Sequence, residues 1–92
     1  MIIKIRVAPL LHEHIKIPLS VNVSGNTVGE CLNDLILQYP VIKDFLFERN
    51  EVMRVLISIN NKDVVSIESN KDMERGINDD DEIYLLTIFT GG

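Results

Sequence analysis

The sequence closes with Thr90-Gly91-Gly92, directly after the apolar run Ile83-Tyr84-Leu85-Leu86-Thr87-Ile88-Phe89. Chain ends ordinarily fray and carry no particular signature. Glycine has no Cβ, so Gly91 and Gly92 can thread in extended form through a channel too narrow for other residues. The terminal carboxylate then becomes a substrate in another protein's site. Its natural chemistry is activation by ATP to an acyl adenylate, followed by attack of a sulfur nucleophile to give a thiocarboxylate or thioester. The chain has no P-loop, no glycine-rich dinucleotide motif, no Ser/His/Asp arrangement visible in sequence, and too little volume to enclose ATP. It reads as a protein substrate or carrier rather than an enzyme, with no cofactor of its own.

Other residues with reactive potential have weaker support. Cys31 falls in the first turns of a helix, where the dipole can lower a thiol pKa, but it also flanks an apolar stripe beside Val28 and Leu35 and reads as a packing residue. His12 and His14 would share a side of an extended segment, yet nothing else completes a metal site, so a solvated loop is expected. The acids Asp79-Asp80-Asp81-Glu82 could guide the domain onto a basic groove, although a charged turn before a strand is usually just solvated. They lack the downstream bidentate glutamate of a calcium loop.

The elements that must position the tail follow from periodicity. Ile3, Ile5 and Val7 alternate with Lys4 and Arg6 in an opening strand closed by Pro9. After a loop from Leu10 to His14, the alternation of Ile15, Ile17, Leu19, Val21 and Val23 predicts a second strand, and Pro18 marks it as an edge. Thr27-Val28-Gly29-Glu30 fits a capping box, and Val28, Leu32, Leu35, Ile36 and Tyr39 form a helical stripe that Pro40 stops. Val41 to Asn50 suggests a shorter helical piece with Phe45 and Leu46 packed beneath. Val55, Ile57 and Ile59 define a third strand, which turns at Asn60-Asn61 into Val64-Val65-Ser66-Ile67. The last strand is Ile83 to Phe89. Ile83, Leu85 and Thr87 share one of its faces and Tyr84, Leu86 and Ile88 the other; if the first set faces the helix, the second forms an exposed apolar stripe leading to the tail. Such a stripe is a natural dock for an enzyme. The competing reading is a sheet covered on both sides or a homodimer contact.

At 92 residues with 46% apolar and 25% charged residues, the chain reads as one α+β domain spanning residues 1–92 with a flexible tail at 89–92. A single cysteine excludes a disulfide framework and a thiolate metal site. The net charge of -5 argues against nucleic acid. The acid excess lies wholly in the second half, where residues 51–92 hold nine acids and four bases, so a basic partner surface is expected. No segment reads as a signal peptide or membrane span, and a cytoplasmic location is the default expectation.

One main helix on a mixed sheet of four to five strands, with first and last strands adjacent, is the β-grasp arrangement. Together with Ile59-Asn60-Asn61, Ile77-Asn78-Asp79-Asp80-Asp81-Glu82-Ile83 and the terminal Thr90-Gly91-Gly92, it resembles the ubiquitin-like MoaD/ThiS sulfur carriers over the whole chain. The resemblance implies a β-grasp fold and adenylation at Gly92 by a ubiquitin-activating-like adenylyltransferase. It also implies a sulfur donor such as a cysteine desulfurase or rhodanese, and a thiocarboxylate passed to an acceptor synthase of molybdenum cofactor, thiamine (thiazole) or cysteine type. By the family pattern Ile83 and Leu85 would face the helix, with Leu56 and Ser58 joining the outer face; Gly91 and Thr90 would form the threading tail, and Phe89, Ile88, Leu86, Tyr84 and Leu56 the partner-binding surface. Some relatives are instead conjugated to lysines as modifiers or act as permanent small subunits of a synthase. Asp80-Asp81-Glu82 stands where the family usually has Gly-Asp-Glu, and Asn60-Asn61 where it usually has Asn-Gly, which leaves the sulfur acceptor open.

Overall fold

The computed structural model describes residues 2–47 and 53–89, with Met53 and Phe89 described by their backbone alone. In chain order the elements are β1 (Ile2–Val7), α1 (Pro9–Ile15), β2 (Ser20–Ser24), α2 (Val28–Gln38), α3 (Ile42–Phe47), β3 (Met53–Ile59), β4 (Asp63–Val65), α4 (Asn70–Met73) and β5 (Glu82–Phe89). The strands form one mixed sheet in the order β2-β1-β5-β3-β4. β1 and β5 run parallel at its centre, and every other pairing is antiparallel. A parallel pair joins the two ends of the chain and cannot be closed by a tight turn. The intervening elements therefore have to pack around it.

Alternation along the strands separates two faces. Ile3, Ile5, Ile83 and Leu85 are completely buried and meet Val28, Cys31, Leu32 and Leu35 of α2 in one core. Burying an aliphatic side chain of this size stabilises by about 1.5–3 kcal/mol. The helix that supplies those residues begins as the capping-box pattern predicts. Thr27 Oγ1 accepts from the Glu30 N–H at 3.1 Å, but the Glu30 carboxylate reaches back to the Asn26 N–H at 2.8 Å, one residue before the cap. Gly29 lets this helix approach α4 closely: a Cβ there would lie 3.0 Å from the Met73 carbonyl oxygen and would require α4 to shift.

Two expectations change. The stretch from Leu10 to His14 is not a loop, and Ile15 does not begin the second strand, because both belong to α1. Pro9 supplies the preset φ of a first helical turn, and Leu11 drops into the core with no exposed surface. Lys16 then ends the helix in the left-handed region at φ 60°, its N–H bonded to the His12 carbonyl. A left-handed residue at a helix C-terminus breaks any continuous alternation from Ile15 to Val23. The second change concerns the tail. β5 runs through Phe89, whose backbone pairs with Met53, so Phe89 belongs to the strand and not to the tail expected from that position.

The region around Met73, irregular by sequence, contains the four-residue α4, capped by Ser69 accepting from the Asp72 N–H at 3.2 Å. The Asn60-Asn61 turn forms as expected, with φ of 55° and 58° and the Lys62 N–H bonded to the Ile59 carbonyl. Asparagine accepts this backbone because its short polar side chain bonds locally.

Candidate functional site

The face of the sheet opposite α2 carries the outer stripe expected from the sequence. Register places Leu56 directly opposite Leu86, Ser58 opposite Tyr84 and Arg54 opposite Ile88. Tyr84, Leu86 and Leu56 are half-buried, while Ile88 is 44% exposed. Directly opposed side chains on one face of an antiparallel pair lie close enough to touch. The leucine pair is therefore the apolar centre, and Ile88 extends it along β5 towards the chain end.

Ser58 behaves differently from its neighbours. It shares the outer face but is only 3% exposed, set between Tyr84 on β5 and Val64 on β4. Val64, 60% exposed, widens the apolar area on the far side of the serine. It was absent from the sequence-derived set because the alternation of β4 has no known phase until its register with β3 is seen.

Three cations also belong to this face. Lys4 is in register with Glu82, Arg6 with Tyr84, and Arg54 with Ile88. Arg6 Nε donates to Glu82 Oε2. That hydrogen bond and the carboxylate's charge, with a lesser contribution from Tyr84, raise the guanidinium pKa above its ordinary value. Parity along each strand hints at these positions. Only the pairing of β1 and β3 with β5 shows that the three share the face of Leu86.

Of the predicted site residues, Tyr84, Leu86, Ile88 and Leu56 are brought together. The Phe89 side chain, Thr90, Gly91 and Gly92 lie outside the described residues.

The other reactive candidates stand apart from this face. Cys31 is completely buried beneath α2. Burial first, and the charges of Glu30 and Asp34 second, push its thiol up to about 11. Residues two apart on a helix point in different directions, and α1 separates its histidines accordingly. His12 Nδ1 bonds the Ile17 carbonyl oxygen, and His14 stands edge-on to the Phe45 ring with centroids 5.6 Å apart. Among the described residues no group of three or more His, Cys, Asp or Glu side chains gathers to hold a metal, and no helix is long and apolar enough to cross a membrane.

No protein-family model matches the sequence, and no curated protein sequence matches it. Solved structures do match over essentially the whole chain. SAMP1 from Haloferax volcanii aligns at TM-score 0.73 and 18% identity, covering 100% of both chains. The small archaeal modifier protein 1 (SAMP1) from Methanosarcina acetivorans aligns at TM-score 0.71 and 25% identity, covering 99% of this chain and 96% of that one. A chain of the BexX/CysO complex from Amycolatopsis orientalis aligns at TM-score 0.69 and 22% identity, covering 98% of this chain and 99% of that one. The chain has the ubiquitin-like β-grasp fold. In this β-grasp sheet β5 is the central strand, held by β1 on one side and β3 on the other. The strand leading to Thr90-Gly91-Gly92 is thus anchored along both edges.

Proposed function

We propose that this chain is a sulfur carrier that acts from its C-terminus. The Gly92 carboxylate attacks the α-phosphorus of ATP in the site of a ubiquitin-activating-like adenylyltransferase, releasing pyrophosphate. The terminal sulfur of a donor protein's persulfide then attacks the acyl carbon and AMP leaves; a second thiol of the donor cleaves the acyl disulfide, releasing the thiocarboxylate and leaving the donor as a disulfide. The thiocarboxylate passes to an acceptor synthase in cofactor or metabolite biosynthesis. The observation that carries this reading is the Leu56–Leu86 pair continued by Ile88, an apolar surface leading along an anchored strand to two glycines. Three residues beyond Phe89 can span about 10 Å when extended, which suits a tail that enters a neighbouring site while the sheet docks outside it. Carriage in the cytoplasm belongs to the same proposal.

The test is ATP–pyrophosphate exchange with the adenylyltransferase of the source organism. The full chain should support exchange, and deletion of Gly92 or addition of one residue after it should abolish exchange while leaving the circular dichroism spectrum unchanged. Exchange that survives either change would overturn the proposal.

The likeness to small archaeal modifier protein 1 favours a second reading, conjugation of Gly92 to lysine side chains. Mass spectrometry separates the two. Replacement of oxygen by sulfur at the activated acyl group adds about 16 Da, whereas conjugation leaves a branched Gly-Gly remnant on a target lysine.

A further inference from the structure

The charge of the outer face runs against the charge of the chain. Net charge is -5 overall, yet the described strand positions that share the face of Leu86 carry Lys4, Arg6 and Arg54 against Glu82 alone. That one carboxylate is engaged by Arg6. Among the described residues the ion pairs are Arg6–Glu82 and Arg75–Asp63, and Arg54 enters neither. Arg54 is exposed and lies directly across from Ile88, at the end of the stripe from which the tail leaves. Of the other described acids of the C-terminal half, Asp63 is paired to Arg75 and Asp81 bonds Asn60, while Asp72, which bonds the Ser66 N–H, and Glu68 line a cavity at the β3 edge together with Arg54 and Leu56 but contribute no strand position to the face.

We infer that this face docks on a protein surface with an apolar centre for Leu56 and Leu86 and with carboxylates on its rim, one of them opposite Arg54. The inference rests on the carrier reading and specifies the adenylyltransferase surface that reading requires. It reverses the expectation of a basic partner drawn from net charge, because a docked surface responds to the charges it meets and charges beyond about 8–10 Å are largely screened. The same argument disfavours a second copy as occupant. A two-fold contact through this face would set the same cations against one another.

Rim charges act mainly on association and its salt dependence. In the exchange assay Arg54→Glu should raise the KM for the carrier at least tenfold with kcat unchanged, and Arg54→Lys should stay within about threefold of wild type. Lys4→Glu should act in the same direction, and the wild-type KM should rise with added salt. Leu86→Asp tests the apolar centre separately, and thermal melts verify that each variant folds. If Arg54→Glu and Lys4→Glu leave KM and its salt dependence unchanged while Leu86→Asp weakens binding, the acidic rim is refuted and the carrier reading stands. If the wild-type chain supports no exchange, both fall. A dimer seen in sedimentation that Leu86→Asp dissociates would also overturn the inference.

Discussion

Asn60 fastens the β3–β4 turn to the start of β5 through Asp81. Its side-chain amide donates to Asp81 Oδ1 at 2.8 Å, while its carbonyl oxygen accepts from the Glu82 N–H at 2.8 Å. Asp81 Oδ2 in turn accepts from the Asn78 N–H at 2.8 Å. Two of the sequence features singled out as unusual, the Asn-Asn turn and the acidic run, are thus one structure. Asp81 closes its own turn and takes a bond from the neighbouring one.

This arrangement makes stability pH-dependent. The Asn60 side chain first, and the Asn78 N–H second, hold the Asp81 carboxyl below its usual value. A group with a depressed folded pKa stabilises the fold above its unfolded value, about 3.9 for aspartate, and loses that contribution as pH falls through the lower folded value. Asn60→Ala should therefore lower the melting temperature at pH 7, and the difference from wild type should shrink below about pH 4. A gap that stays constant down to pH 2 would show that Asp81 is not the cause.

Adjacent residues of β5 should respond in opposite ways. Leu85 is completely buried, so Leu85→Ala should cost about 2–5 kcal/mol in a urea titration. Leu86 faces outward, and Leu86→Ala should cost less than half as much while weakening partner-dependent exchange. Equal destabilisation by the two would remove the basis for an outer docking face.

Cys31 should be inert in the native state. Buried, with a thiol pKa near 11, it presents almost no thiolate at neutral pH. Alkylation by iodoacetamide at pH 7.5 should be at least a hundredfold slower than in 6 M guanidinium, where the free-thiol value of about 8.5 applies. Rapid native labelling would reopen a reactive role.

The open edge of the sheet is closed by side chains. β2 carries no charged residue, and an uncharged edge invites pairing with another chain. Here Asp34 Oδ2 accepts from the Ser24 N–H at 2.8 Å, and Gln38 Nε2 donates to the Asn22 carbonyl at 3.0 Å, occupying backbone groups a further strand would use. The double substitution Asp34→Ala with Gln38→Ala should increase concentration-dependent self-association in sedimentation velocity. A monomeric double variant at all concentrations would show that the edge is protected by other means.

Turn chemistry guards the same region of the fold as Asn60. Asn61 sits at φ 58°, where a residue with a Cβ is strained by about 1–2 kcal/mol. Asn61→Val should lower stability by that order, since a β-branched residue lacks the local hydrogen bonding that lets asparagine tolerate the region, and Asn61→Gly should not.

Much of the architecture was legible in residue order. The spacing of Val28, Leu32 and Leu35, the Thr27–Glu30 cap and the alternation of Ile83 with Leu85 are local properties, and the structure places each as expected. α1 was hidden because Ile15, Ile17, Leu19, Val21 and Val23 alternate with strand period, and nothing in that pattern reveals a left-handed Lys16 that interrupts it. α4 was hidden because four residues hold too little periodicity to detect.

The outer face divides along the same line. Sequence alone determined that β5 has two faces, that both carry apolar residues, and that the strand leads to a glycine pair, since these are consequences of a two-residue period along a single strand. Only the tertiary structure decided which residues share that face. Val64, Arg54, Arg6 and Lys4 come from three other strands, and their meeting with Leu86 depends on registers set by long-range pairing of β1 and β3 with β5 and of β4 with β3. Those registers arise from burying the opposite face against α2, and no local pattern of charge or hydrophobicity encodes them.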